Sequence, residues 1–150
     1  MTTRSRVFAV VSFLALTVSA CAPHAPDPDR FAQHFFHEGK ESILAALEDQ
    51  QVPPAKLDQA KSIIARYEQS VPKEVAAAMR AHEELLLAVT SGRDGSTLLG
   101  LEQELHRRQE TALRSIGAMH EELQREVGAG VWQSASAQMG KKMRRFLRRN

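Results

Sequence analysis

The chain has 150 residues, with one cysteine, one tryptophan and one tyrosine. Its 20 Lys and Arg nearly balance its 18 Asp and Glu, so the formal charge is only +2 at neutral pH. Ala, Leu, Glu, Gln and Arg, which favour helices, dominate the sequence, and no strand-like alternation is present. This composition predicts an all-α protein, and a single cysteine excludes a fold held by internal disulfides.

The first 21 residues have the layout of an export signal. Arg4 and Arg6 precede an apolar run at residues 7–18, which is shorter than the about 20 residues that span a bilayer. A basic start, a short apolar run and small residues after it are typical of a secretory signal. The final VSAC, residues 18–21, resembles the bacterial lipobox. Ordinary secretion with a free cysteine is the alternative.

The resemblance to bacterial lipoproteins implies a location. Residues 1–20 would be removed as a signal peptide, and Cys21 would carry a diacylglycerol and an N-acyl chain such as palmitate. Stable anchoring needs more than one acyl chain. In lipoproteins, Asp after the cysteine often marks retention in the inner membrane, whereas Ala22 here favours the outer membrane. We therefore expect a lipid-anchored protein of the bacterial envelope that faces the periplasm.

A proline-rich tether and a first helix are predicted next. Residues 21–29 form the lipidated cysteine and tether, with three prolines that keep it extended. Asp27 or Asp29 is expected to cap the helix that follows. That helix is predicted at residues 30–50, and the domain as a whole at residues 30–150. Two prolines at residues 53–54 break the chain after it.

Two long amphipathic helices are predicted after this break, with inward-facing apolar stripes at steps of three and four that include Val89 on the first helix and Leu98 on the second. Pro72 lies inside the first of them and should kink it, or split it into two collinear pieces with Ser70 as a cap. The segment TSGRDG at residues 90–95 is a predicted turn. The second long helix spans residues 98–127 and ends before Gly and Ala at residues 128–130.

A shorter basic helix is predicted at residues 131–149, which gives four helices in all. Two long helices joined by a short turn would form a hooked antiparallel hairpin. Such a hairpin, with only two short helices beside it, leaves much of its apolar stripe uncovered. A second copy is the usual cover, so we expect a homodimer.

This layout is similar to the periplasmic Spy-type family and its relatives, the sensors of nickel/cobalt and zinc resistance. These are small all-α envelope proteins built as hooked helical hairpins that pair into a cradle. Of the family motif Leu-Thr-Pro-Glu-Gln, only Pro54 is present at residues 52–56, and the second copy is absent at residues 127–131. The resemblance implies a protein of envelope stress or heavy-metal resistance that holds an unfolded client or a transition metal.

A histidine cluster in the first helix is the candidate metal site. His34, His37 and Glu38 fall at i, i+3 and i+4, so they share one helix face. Imidazole with carboxylate suits Zn, Ni, Co or Cu. The resembled sensors add His and Met ligands from a later helix, and His120 beside Met119 would correspond to these. The alternative is a solvated helix face beside two packed phenylalanines.

The last ten residues, KKMRRFLRRN, form a candidate surface for binding membranes or partners. Its six cations are Lys141, Lys142, Arg144, Arg145, Arg148 and Arg149. They would rest on anionic phospholipid or lipopolysaccharide, or bind an acidic envelope protein; no nucleic-acid partner is expected in the envelope. The alternative is a helix C-terminus whose cations complement the helix macrodipole and the more acidic remainder of the chain.

No motif in the sequence predicts an enzyme. Lipidation would occupy Cys21, and the sequence has no nucleophile elbow, HExxH or paired-carboxylate motif. We therefore expect a non-catalytic, lipid-anchored binding protein that holds a client or a transition metal. The alternative is a structural adaptor lipoprotein whose basic C-terminal helix docks on another envelope component.

Overall fold

The structure is a computed structural model that describes residues 27–148, except the side chains of Met143, Phe146 and Leu147. The predicted signal peptide, Cys21, Ala22 and most of the tether lie outside the described residues, as does Arg149. All regular secondary structure in residues 27–148 is helical. The prediction of an all-α protein is thereby confirmed. None of the described helices is long and apolar enough to cross a membrane.

Five helices follow one another with short connections. They are α1 (Pro28–Asp49), α2 (Pro54–Tyr67), α3 (Ser70–Thr90), α4 (Gly95–Val127) and α5 (Ala129–Leu147). The described residues therefore hold five helices where the sequence predicts four. The difference arises because the first of the two predicted long helices is divided after Tyr67. Of the two pieces, α3 is in extensive contact with α1 and α4, while α2 packs mainly on α4.

The division between α2 and α3 has a backbone cause. Pro72 is the third residue of α3, where its missing N–H costs nothing because first-turn N–H groups have no partner within the helix. The predicted cap was wrong. Gln69 holds the N-cap position without a side-chain bond, and Ser70 is already helical. The Ser70 hydroxyl instead donates to the carbonyl oxygen of Tyr67, at 3.5 Å.

Local signals set the other helix starts. Asp27 caps α1 by accepting a bond from the Asp29 N–H at 3.1 Å, and Pro54 opens α2. Asp94 caps α4, because its carboxylate accepts bonds from the Thr97 N–H at 3.0 Å and the Thr97 hydroxyl at 2.8 Å. Hydrogen bonds from Ser96 and Thr97 hold the pKa of the Asp94 carboxyl below its usual range.

The core lies between all five helices. Leu47 of α1, Ile64 of α2, Val71 of α3 and Leu123 of α4 are the largest fully buried side chains. Trp132, with Ala135 and Met139, brings α5 into the same cluster. On α4, however, every buried residue lies at Ala112 or beyond. The first half of α4 therefore extends past the core together with the end of α3.

Two ion pairs fix how α1 lies on the other helices. Asp29 pairs with Arg80 at 2.6 Å, near the start of α1. Lys40, further along α1, pairs with Glu68 at 3.0 Å, just before α3. Increasing residue numbers on α1 thus meet decreasing numbers on the partner segment, so α1 runs antiparallel to α3. Exposed ion pairs of this kind add little to the free energy of unfolding, so we expect these two mainly to set the orientation of α1.

Candidate functional site

The predicted metal residues lie on two different helices. His34 and His37 are exposed on α1, and Glu38 is partly buried next to them. His120 lies on α4 and contacts α5, where its ring meets the Trp132 indole edge-on at a centroid distance of 5.2 Å. Within residues 27–148, no three His, Cys, Asp or Glu side chains are grouped so that they could hold a metal ion. The structure therefore does not bring His120 and the α1 residues together as a ligand set.

The surroundings of His120 explain its packing role. The residue as a whole is partly exposed, but protein atoms surround its imidazole ring. Burial lowers the pKa of this ring to about 4, since a charged imidazolium would lose its hydration there. The ring is therefore neutral at neutral pH. A neutral ring packs against the Trp132 indole without a buried charge, which suits the junction between α4 and α5.

The described part of the predicted cationic surface lies on the end of α5 and on Arg148 directly after it. Lys141, Lys142, Arg144, Arg145 and Arg148 are all exposed. Among the described residues, none of the five forms an ion pair with a carboxylate. All of them except Lys142 line one shallow cleft of about 200 Å³. The structure thus brings four of the six predicted cations to one place on the surface.

A polar junction between α2 and α4 was missed by the sequence reasoning. The Tyr67 hydroxyl donates to a Glu122 carboxylate oxygen at 2.6 Å, and Arg66 pairs with the other oxygen. The bond from Tyr67, with help from Arg66, lowers the pKa of Glu122, and the same bond raises the pKa of Tyr67. With Arg125 and neighbouring residues, Arg66 and Glu122 also line an open cleft of about 360 Å³. Because the carboxylate is already paired on both oxygens, we interpret this junction as a structural contact.

Four exposed apolar residues at the end of α3 and the start of α4 were also missed. They are Leu86, Leu87, Val89 and Leu99, here called the apolar end. Leu87 is 66% exposed and Leu99 is 56% exposed. The signal for it was the run ELLLAV at residues 84–89, since three consecutive leucines cannot all face one side of a helix. The predicted stripe placed Val89 inward, and the structure exposes it.

Comparison with known proteins gives no family assignment. No protein-family model matches the chain, and neither the curated proteins nor the solved structures compared with it gave a match. The likeness to Spy-type proteins therefore stays a prediction made from helix layout. The functional proposal rests on the two exposed surfaces, the apolar end and the cations of α5.

Proposed function

We propose that this chain is a lipid-anchored binding protein of the bacterial envelope that holds exposed apolar segments of client proteins and catalyses no reaction. Its location is supported by the sequence of residues 1–22, in which a basic start and an apolar run lead to VSAC, with Cys21 as the lipidated residue. The domain then faces the periplasm, from the outer membrane as Ala22 favours. A role in envelope stress follows, because unfolded envelope proteins expose apolar segments.

The apolar end is the observation that carries this proposal. Large apolar side chains that are exposed as a group often mark a binding surface, whereas single exposed ones usually do not. All four members lie within about five residues of the turn at residues 91–94, or about 7 Å along the helices. Covering one leucine side chain contributes about 1.5 to 3 kcal/mol. An apolar client segment would therefore gain several such contacts at this one place.

The proposal includes a hooked hairpin and a homodimer. A turn of four residues joins α3 to α4, and Tyr67 meets Glu122 at the other end of the pair. A short turn at one end and a contact between the helices at the other are both expected of an antiparallel hairpin formed by α2, α3 and α4. Leu98, Leu101 and Leu105, on the part of α4 beyond the core, are only partly buried. A second copy of the hairpin would cover them, as the usual solution for such a stripe.

Client holding is tested by removing the apolar end. We expect the variant L86Q/L87Q/V89Q/L99Q to lose its ability to suppress aggregation of a denatured protein diluted into buffer, measured by light scattering. Its thermal stability should change little, because substitutions at exposed positions usually alter the free energy of unfolding by no more than about 0.5 kcal/mol each. Sedimentation of the same variant reports on the dimer.

The matched control changes four exposed polar residues on or beside the same helices: E84Q/R93Q/E102Q/R114Q. This control should suppress aggregation as the unmodified chain does. If the variant of the apolar end also does so, client binding at this surface is wrong. If that variant keeps client holding but sediments as a monomer, the apolar end belongs to the interface between copies.

Metal binding at His34, His37 and Glu38 stays a prediction of the sequence. If this site binds a metal, the melting temperature of the full chain should rise when Zn, Ni, Co or Cu is added after chelator treatment. A ligand at 100 times its Kd adds about 2.7 kcal/mol to the free energy of unfolding. The variant H34A/H37A should abolish the rise, while H106A, on an exposed histidine of α4, should keep it. No rise with any of the four metals, or a rise that survives H34A/H37A, would contradict the site.

The cations of α5 favour a second candidate function. Residues 141–148 hold five exposed cations that form no ion pair within the described part of the chain, which exceeds what a helix C-terminus needs to balance its macrodipole within the last turn. A structural adaptor lipoprotein would use them to dock on another envelope component. In that case α5 supplies the binding surface and no client is held.

A further inference from the structure

We propose that the outward side of α5 binds the phosphate headgroups of an anionic phospholipid surface. The surface consists of Lys141, Arg144, Arg145 and Arg148, here called the α5 cationic face. The inference rests on the second candidate function, because it names the envelope component on which α5 docks. It does not depend on the client-binding surface at the apolar end, which lies on other helices.

The spacing of these four residues places three of them on one side of α5 and continues to Arg148, the residue directly after the helix. They fall at i, i+3, i+4 and i+7, which is the repeat of a single helix face. All four are exposed and line the same shallow cleft of about 200 Å³. Lys142 is equally exposed but lies outside this cleft. The structure therefore gathers four cations at one cleft, which the presence of many cations in this segment does not by itself require.

The fold fixes the direction of this face. Trp132, Ala135 and Met139, on the other side of α5, are buried in the common core. Because Trp132 lies nine residues before Lys141, a helix of 3.6 residues per turn puts the two on opposite sides. The helix cannot roll its cations inward without exposing its tryptophan. The α5 cationic face is thus presented outward before any ligand arrives.

The chemistry of the face suits phosphate. A guanidinium group donates two parallel hydrogen bonds to phosphate oxygens, and three of the four residues are arginines. The long stems of Lys and Arg let the charged ends reach a surface while the stems lie along the protein. Among the described residues, no carboxylate lines the cleft to compete for the cations. These features favour a ligand with several phosphates side by side.

A membrane presents phosphates in that way, side by side across a broad surface. The cleft is shallow, and the lining side chains that the structure describes are all cations, so it offers several positive charges to such a surface. In addition, α5 packs on α1, the helix that directly follows the predicted tether. Residues 21–27 can extend about 20 Å. A lipid on Cys21 would therefore hold the face within reach of the bilayer.

The test is flotation of the full 150-residue chain with lipid vesicles. We expect it to bind vesicles of about three parts phosphatidylcholine to one part phosphatidylglycerol more tightly than phosphatidylcholine alone, with the difference shrinking as salt rises. Each cation near an anionic surface strengthens binding about fivefold. The variant K141Q/R144Q/R145Q/R148Q should therefore lose the preference, with binding to the anionic vesicles reduced by about a hundredfold or more.

A matched control separates this face from net charge. The variant R30Q/K56Q/R93Q/R114Q also removes one lysine and three arginines, all exposed and in no ion pair among residues 27–148. It should keep most of the preference for anionic vesicles. Equal losses in both variants, or no loss in the α5 variant, would overturn the inference.

Crosslinking in cells separates the failure of this inference from that of the adaptor function. In one outcome, deletion of residues 141–150 removes a crosslinked protein, although vesicle binding does not depend on the α5 cationic face. The adaptor function would then stand, with a protein as its partner in place of the lipid. An unchanged crosslinking pattern together with unchanged vesicle binding would overturn both. Loss of vesicle binding alone is the result that supports the lipid surface.

Discussion

Leu47→Ala is expected to lower the free energy of unfolding by about 3 to 5 kcal/mol, a large fraction of what holds a small domain together. Leu47 lies on α1 with no exposed surface, in the cluster to which all five helices contribute. Truncation removes apolar contacts and leaves a cavity that the surrounding helices fill only in part. Urea denaturation followed by circular dichroism would measure the loss.

Leu87→Ala is the matched control. The same substitution is made in a helix, so the change in helix propensity is equal, but Leu87 on α3 is 66% exposed. We expect its effect to stay within about 0.5 kcal/mol. Equal losses at the two positions would mean that α1 does not pack into the core as described. A large loss at Leu87 alone would mean that the apolar end is covered in solution.

Acidification is expected to destabilise the protein through His120. Its pKa in the folded chain is about 4, against the ordinary 6.5, so between these values the unfolded chain binds a proton that the folded chain rejects. The free energy of unfolding therefore falls as the pH drops through this window and is fully regained above it. From about pH 7 to about pH 5 we expect a loss of roughly 1 to 2 kcal/mol, allowing for the partial exposure of the residue.

His120→Gln should remove this part of the pH dependence, because the amide does not titrate in the window. His106→Gln, at a histidine exposed on the same helix, should leave the dependence as it is in the unmodified chain. Urea denaturation at the two pH values measures each difference. Parallel pH dependence of all three chains would contradict the burial of His120 against Trp132 and the contact between α4 and α5 that it reports.

Helix content and most helix boundaries could be predicted from the sequence because they depend on neighbouring residues. The prolines at residues 53–54, the turn around Gly92 and the capping Asp27 each act within one turn of the backbone. The same local reasoning predicted that Pro72 would either kink or split a helix, and the structure has the split, but the predicted cap was wrong. Ser70 was chosen because its side chain favours caps, yet its hydroxyl bonds back to the Tyr67 carbonyl instead.

The candidate surfaces were less predictable, since they depend on how far each helix is covered. Periodicity assigned Leu98 and Val89 to apolar stripes without saying where the core stops. The core stops at Ala112 on α4, so Leu123 beyond that point is fully buried while Leu98 before it is only partly buried. The α5 cations were visible as a charge cluster, but only the buried Trp132 shows which way they face.

The sequence by itself determined the all-helical character of residues 27–148 and the breaks between the helices, because each depends on residues close together in the chain. The lipidation signal ending at Cys21 is a prediction that depends on local residues in the same way. Only the tertiary structure decided that Tyr67 meets Glu122, that His120 packs against Trp132, and that the apolar end stays exposed. These features join or separate residues far apart in the chain, and their distances are set by which helix faces pack together. A helical repeat states which residues share a face, but the packing of several helices decides what that face meets.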